Sequence, residues 1–487
     1  MIRQFVKDTG MYGISGFITK GVSFILVPFY TRVLTPADYG MMDIISVVYA
    51  IVAVTVPLEI TQAVARFLAD KQNEEDLTKD ENTILVSSVG LYFTLISFTI
   101  FLIVGLLINK WLAKVLFEDV NKNSIMIAAL FNMYFTGLFY FVQNQLRWTL
   151  KAKKMAMLTI IYTIINISLT VVFVLFLATG VIGVFYAFII SGFICFLLGL
   201  YFSRENYAMI YSFSKLKEML KFSLPLVPSS VGTFFINYSQ RVMIKSLMSL
   251  TDLGLFGVGS RISSVINLGF QSVQGAILPL IYQNFHKKET PEQLANIFRY
   301  IVFILSIVFI VLSIFAREII VILTTPSYYN SFLLIPFLLL SESFFGLQRS
   351  FSPGLFLKKR TDILAYINIG SAIFTLAISF LMIYLFGLLG AAIAVLIQSV
   401  SIFIVQLFFS QKFYFIPYKY KTIIFTSLTS VLFVVIAWNL TFIENLFIVL
   451  SLKILLIFGF IIISITFIKI ISKEELKVMY YKLFKSK

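Results

Sequence analysis

The sequence predicts an all-α integral membrane protein of about fourteen transmembrane helices, laid out as two parallel six-helix lobes followed by two C-terminal helices. Three observations carry this expectation: a composition too apolar for water, fourteen separate apolar windows, and an internal repeat that divides the first twelve windows into two sets of six. Of 487 residues, 59% are hydrophobic and only 13% charged, against about 25% charged in a soluble domain. Composition therefore excludes a soluble enzyme, a disordered chain and a nucleic-acid-binding module. The single cysteine, Cys195, cannot close an intrachain disulfide. The single histidine, His286, excludes a histidine metal cluster.

A helical crossing needs about 20 apolar residues. Windows of that kind run over residues 11–33, 38–66, 83–109, 124–148, 157–178, 181–202, 220–247, 255–284, 298–324, 332–357, 363–386, 388–409, 422–442 and 447–470. They are continuous rather than alternating, which excludes a strand barrel. The first is longer than a signal-peptide core, contains Lys20 and lacks a small-residue exit, so it reads as a span. The breaks alternate in charge. With Arg3 and Lys7 placed inside, the even-numbered breaks hold Lys71 and Lys79, Lys151, Lys153 and Lys154, Lys215, Lys217 and Lys221, Lys287 and Lys288, Lys358, Lys359 and Arg360, and Lys412, Lys419 and Lys421. About 28 of the 39 Lys and Arg fall on that side and about 6 on the other. This bias places both termini in the cytoplasm. It also accounts for most of the net charge of +16 without a nucleic acid, with anionic lipid head groups as a residual partner. The longest breaks, 67–82 and 203–219, are too short for a soluble domain. The second leads into an amphipathic run, Ser214 to Phe222, suited to the membrane interface.

The repeat is visible at two places. Leu34-Thr-Pro-Ala-Asp38-Tyr-Gly40 joins windows 1 and 2, and Leu250-Thr-Asp252-Leu-Gly254 joins windows 7 and 8; Asp38 and Asp252 lie 214 residues apart, as do Gly40 and Gly254. Gly180-Val-Ile-Gly183-Val-Phe-Tyr-Ala187 joins windows 5 and 6, and Gly387-Leu-Leu-Gly390-Ala-Ala-Ile-Ala394 joins windows 11 and 12. Six is even, so both copies start on the same side and the repeats are parallel. The expected division is 1–210, 211–410 and 411–487, the last holding two further helices and a basic tail. Folds of this type hold their site at the repeat interface and rock one half against the other. Pro28, Pro225 and Pro228 permit bends in the opening windows of the two halves.

Charges inside the windows point to a wet chamber. Lys20, Arg241, Lys245, Arg261 and Arg349 are the deep cations; Asp43, Glu59 and Glu342 are the deep anions. Eight such groups facing lipid would cost on the order of 20 kcal/mol. Arg241 and Lys245 are one turn apart; Glu59 and Arg66, like Glu342 and Arg349, are two turns apart on one helix face. Arg32 sits near the outer end of window 1, and with Arg66 and Arg147 has the position of a snorkelling end residue. The acids are too few to neutralise the deep cations, so the lumen is expected to be cationic and its cargo anionic. Arginine would grip phosphate through a planar fork, lysine as a point charge.

Val27-Pro-Phe-Tyr-Thr-Arg32-Val-Leu-Thr-Pro-Ala-Asp38-Tyr-Gly40, followed by an apolar span and Arg66-Phe67, resembles the polysaccharide transporter family of Wzx-type oligosaccharide flippases. That family shares a superfamily with multidrug-and-toxin extrusion (MATE) pumps and peptidoglycan-precursor flippases. The resemblance implies a MATE-like fold in the bacterial inner membrane. It implies a cargo of undecaprenyl-pyrophosphate-linked oligosaccharide for O-antigen, capsule or exopolysaccharide, with a polysaccharide polymerase and chain-length proteins as possible partners. Members often carry an Asp-Arg pair in span 7. Here it is Gln240-Arg241, which leaves the arginine without an adjacent carboxylate and open to cargo. Ser260-Arg261-Ile262 follows the family's small-x-basic pattern.

The expected activity is alternating access by a flippase. Arg241, Lys245, Arg261, Lys20, Arg349 and Arg32 are the candidate cargo-binding residues, and Asp43, Glu59 and Glu342 the candidate carriers of a coupling H+ or Na+. No other cofactor is expected. A lipid II flippase shares the same physics; a multidrug cation antiporter would show an acidic lumen instead. A membrane polymerase or ligase would need catalytic groups on a sizeable external loop, and no break is long enough. No G-x-x-x-x-G-K-[ST] loop is present to use ATP, so the chain is read as a non-enzyme. Its many Tyr and Phe are assigned to lipid-facing and interfacial positions.

Overall fold

A computed structural model describes residues 21, 24, 26–69, 79–267, 270, 281, 287–350, 353–358, 360–442 and 445–470. After a helical stretch over 26–33, the helices in chain order are α1 Pro36–Thr55, α2 Ile60–Ala69, α3 Lys79–Leu107, α4 Asn109–Phe117, α5 Asn123–Trp148, α6 Ala152–Val171, α7 Val181–Phe202, α8 Phe213–Ser223, α9 Val227–Leu247 and α10 Leu250–Ser263. Then follow α11 Thr290–Ile314, α12 Ala316–Leu323, α13 Ile335–Ser350, α14 Pro353–Leu357, α15 Thr361–Phe413, α16 Tyr420–Trp438 and α17 Leu446–Thr466.

Eleven spans among the described residues are long and apolar enough to cross a membrane, which makes this a multi-pass membrane protein. One of them, Tyr366–Phe413, is 48 residues long and turns at Gly387, between the windows read from sequence as 363–386 and 388–409. Windows 1 and 8 fall partly outside the described residues. Window 2 departs from expectation, since 38–66 is not one helix. Pro57 offers no amide to the ladder, and Leu58 and Glu59 take the left-handed conformation with φ of 49° and 55°. The chain breaks between α1 and α2, so Glu59 and Arg66 are not two turns apart on one helix.

By packing density the chain falls into two compact units: residues 1–258 with 368–391, and residues 259–367 with 392–487. In the first, α5 packs against α3 and α7 through small residues. A Cβ on Gly137 would enter the Phe98 ring, and one on Gly199 would enter Val142; such close approach is how membrane helices gain dispersion contact without a hydrophobic drive. Gln145 donates to Ser87 at 2.6 Å inside this bundle. The amphipathic run forms α8, whose buried face meets α2: Phe222 packs edge-on to Phe67, and the Lys215 ammonium lies 4.9 Å from the Phe67 ring centre. Lys215 is thus buried rather than solvated. Before α8, Lys151 bonds Glu205 and holds its carboxyl below the usual carboxylate range. In the second unit, the Trp438 indole of α16 donates to the Ser313 carbonyl at 3.0 Å, and Lys453 of α17 pairs with Glu318 of α12. The two last helices are thereby fastened to the second unit.

The repeat has a geometric counterpart. Thr35 caps α1 by accepting from the Asp38 amide at 3.2 Å, and its hydroxyl meets the Asp38 carboxylate at 2.7 Å. Ser249 caps α10 in the same way, accepting from the Asp252 amide at 3.1 Å and donating to the Asp252 carboxylate at 2.5 Å. These are two copies of one capping arrangement. The helices they start then cross. A Cβ on Gly40 would run into the Leu250 carbonyl, and a Cβ on Gly254 into the Pro36 carbonyl, both well inside 3.0 Å. Gly40 pairs with Gly254 and Pro36 with Leu250 at the same 214-residue offset, so the contact is reciprocal. At the other repeated motif, Gly180 and Gly387 adopt nearly the same backbone, φ 63° ψ −145° and φ 57° ψ −136°, a region open only to glycine.

Gly40→Ala or Gly254→Ala is expected to force α1 and α10 apart and to cost about 1–3 kcal/mol, read as a lowered melting midpoint of the purified protein. Gly232→Ala, where no atom lies within 4 Å, is expected to leave the midpoint unchanged or raise it.

Candidate functional site

The site is built on α1 and α9, which run antiparallel within the first unit. Three polar links join α9 to the first six-helix set in ladder order. Ser230, near the start of α9, donates to the Glu59 carboxylate at 2.6 Å. Arg241, three turns on, donates through Nε to Asp43 Oδ2 at 2.8 Å. Lys245, one turn further, pairs with Glu118 at the C-terminal end of α4. From Ser230 to Lys245 the helix rises about 22 Å. The Arg241 guanidinium also lies near two rings, 5.9 Å from Tyr238 and 5.5 Å from Phe256. Asp43 is 8% exposed and abuts Gly257, its counterpart at the 214 offset. A buried charge is tolerated only with a partner and further hydrogen bonds. The pair and its flanking rings supply that.

These links correct two readings. Arg241 has no neighbouring acid in sequence, yet Asp43 supplies one through space. The deep cations are also less in excess than expected, because Glu118, read as part of a break and itself exposed, pairs with Lys245 in the last turn of α9. Its backbone at φ 60° ends α4 and turns the side chain to that task.

Of the remaining candidates, Arg32 is exposed. Arg261 is half-buried in the last turn of α10 and belongs to the second unit. Glu342, also in the second unit, accepts from Asn267 at 2.6 Å. Lys20, and the side chain of Arg349, lie outside the described residues. Sequence reasoning passed over Ser229, Thr233 and Asn237, which are exposed in one row on α9. Their signal was present: polar residues every fourth position, ending on Arg241.

The family model for polysaccharide biosynthesis proteins matches residues 5–285. The chain belongs to that family. It is 23% identical over 302 residues to the Lsg locus putative protein 1 of Haemophilus influenzae, covering 59% of this chain and 68% of that one. It is likewise 23% identical over 298 residues to the succinoglycan biosynthesis transport protein ExoT of Rhizobium meliloti, covering 60% of this chain and 56% of that one. Among solved structures, the lipid II flippase MurJ in an inward closed conformation superposes with a TM-score of 0.69 at 15% identity, over 93% of this chain and 98% of that one. An inward-facing multidrug resistance MATE transporter of the MOP superfamily superposes with a TM-score of 0.65 at 16% identity, over 81% and 94%. The fold of this family member is therefore the one those two transporters share.

Asp43→Asn or Arg241→Gln alone should leave a charge without its partner. Each is expected to destabilise by up to about 3 kcal/mol, the low end for buried pairs, since the arginine side chain keeps 19% exposure. The double variant is expected to recover part of that loss. A double-mutant cycle on melting or denaturant midpoints measures the coupling.

Proposed function

We propose that the chain flips an undecaprenyl-pyrophosphate-linked oligosaccharide repeat unit across the bacterial inner membrane by alternating access. The observation that carries the reading is Arg241. In a member of the polysaccharide biosynthesis family, a guanidinium sits inside a span, near two aromatic rings and paired with the Asp43 carboxylate. With the N-terminus inside, as the Lys and Arg bias indicates, the Arg241–Asp43 pair lies about 10 Å in from the outer ends of α1 and α9.

Asp43 is the resting counter-ion. A pyrophosphate entering from the cytoplasm brings two negative groups and competes with Asp43 for the guanidinium, which grips phosphate in a two-point fork. Lys245 competes in the same manner between Glu118 and the cargo. Displacement frees Asp43 from Arg241 and makes it the first choice among Asp43, Glu59 and Glu342 for the coupling role with H+ or Na+. On release, Asp43 recaptures Arg241. No bond of the cargo is made or broken. Arg261, Lys20, Arg349 and Arg32 are further candidates for cargo contact.

The test is flipping of a fluorescent lipid-linked oligosaccharide by the protein in proteoliposomes. Arg241→Gln is expected to lower the initial rate about ten- to a hundredfold, the worth of a hydrogen bond to a charged group. Asp43→Asn is expected to flatten the dependence on a proton gradient. Wild-type flipping by Arg241→Gln would overturn the proposal.

A further inference from the structure

Two spans of this chain are barely buried, and a stretch of one of them exposes a chemistry the other does not. The span Phe447–Thr466 shows Phe447, Ile454, Leu455, Phe458 and Ile462, a surface made for lipid. The span Phe213–Leu247, which ends in α9, is the least buried of the eleven and also the least apolar. Between Ser229 and Lys245 the exposed residues are Ser229, Thr233 and Asn237; every apolar side chain of that stretch is half-buried or buried. Polar groups turned to hydrocarbon are costly, so this row faces water.

The chemistry of the row is defined. Thr233 donates its hydroxyl hydrogen to the Ser229 carbonyl at 3.1 Å, and Asn237 donates from its amide to the Thr233 carbonyl at 2.8 Å. Their donors are partly used by the helix itself, which turns the Thr233 Oγ1 and Asn237 Oδ1 lone pairs outward as acceptors. Successive members rise by about 6 Å, and Arg241 stands about 6 Å beyond Asn237. Beside the row, Phe234 and Tyr238 stack at 5.4 Å with 26° between their planes, and Tyr238 is one of the rings flanking Arg241. The surface is thus uncharged, rich in acceptors, aromatic along one border, and continuous with the arginine.

We infer that this row is the glycan-contact surface of the transporter: the sugars next to the pyrophosphate lie along α9 from Asn237 toward Ser229 and donate their hydroxyls to it. The inference rests on the reading of Arg241 as the pyrophosphate anchor. A row of neutral acceptors takes hydroxyls of any sugar, so it selects for a hydroxylated chain attached to the phosphate rather than for one monosaccharide.

The experiment compares two fluorescent substrates in proteoliposomes, a polyprenyl pyrophosphate without sugar and the same lipid carrying an oligosaccharide. Thr233→Val with Asn237→Leu is expected to slow the oligosaccharide-bearing lipid about tenfold, from two lost hydrogen bonds, and to leave the sugar-free lipid unchanged. Thr233→Ser, which keeps the hydroxyl, is expected to behave as wild type and controls for folding. Equal slowing of both lipids by the double variant, or wild-type flipping of the oligosaccharide, overturns the glycan row. In either case slow flipping of both lipids by Arg241→Gln shows that the anchor reading survives. Wild-type flipping of both lipids by Arg241→Gln overturns the anchor and the row with it.

Discussion

The bilayer offers no water to a buried charge, and the meeting of Arg241 with Asp43 is this protein's answer to that constraint. An arginine on α9 is stable inside the span because α1 brings a carboxylate to 2.8 Å and the Tyr238 and Phe256 rings lie close by. The pair in turn fixes α1 against α9 and sets the register in which Ser230 finds Glu59 and Lys245 finds Glu118. Each link joins an element of the first repeat to the opening helix of the second. The stability of that junction therefore depends on charge balance, and any anion able to compete for Arg241 acts on the junction directly. In the proposed cycle, binding and conformational change share one interaction, which is the requirement for a ligand to shift an equilibrium at all.

Backbone strain sits beside the same junction. Leu58 and Glu59 occupy the left-handed region without being glycine, which costs on the order of 1–3 kcal/mol each. Such residues persist where the surroundings over-determine them. Here the missing amide of Pro57 stops α1, and the hydrogen bond from Ser230 holds Glu59 in its turned position. The break separates α1, which carries Asp43, from α2, which packs on α8. The part of the chain that touches the candidate site and the part that packs on α8 are consequently separate helices.

Much of this was legible in the residues. Apolar windows and alternating Lys and Arg marked the membrane class, because hydrocarbon thickness and charge placement act on composition directly. The Asp38/Asp252 and Gly180/Gly387 echoes marked the repeat, and the structure gives each echo the same cap or the same backbone. The candidate arginine and lysine of α9 were visible as lone cations in a span. Their partners were not. Asp43 lies 198 residues from Arg241, and no spacing rule spans that distance. Glu118 was hidden because it sits outside a span, exposed, at the left-handed turn that ends α4. The row on α9 was hidden for another reason: serine, threonine and asparagine cost little in a hydropathy window, so a wet face averages away against the Val, Phe and Ile of the other faces.

The crossing of α1 and α10 carries one more consequence. Gly40 makes room for the backbone at Leu250, and Gly254 makes room for the backbone at Pro36, in a contact that maps onto itself when the two repeats are exchanged. Self-complementarity of this sort is what isologous dimers possess, where one residue serves both sides of the interface. Neither glycine can stand in for the other, because each lies against a different backbone carbonyl and the opposite helix forbids either one a side chain.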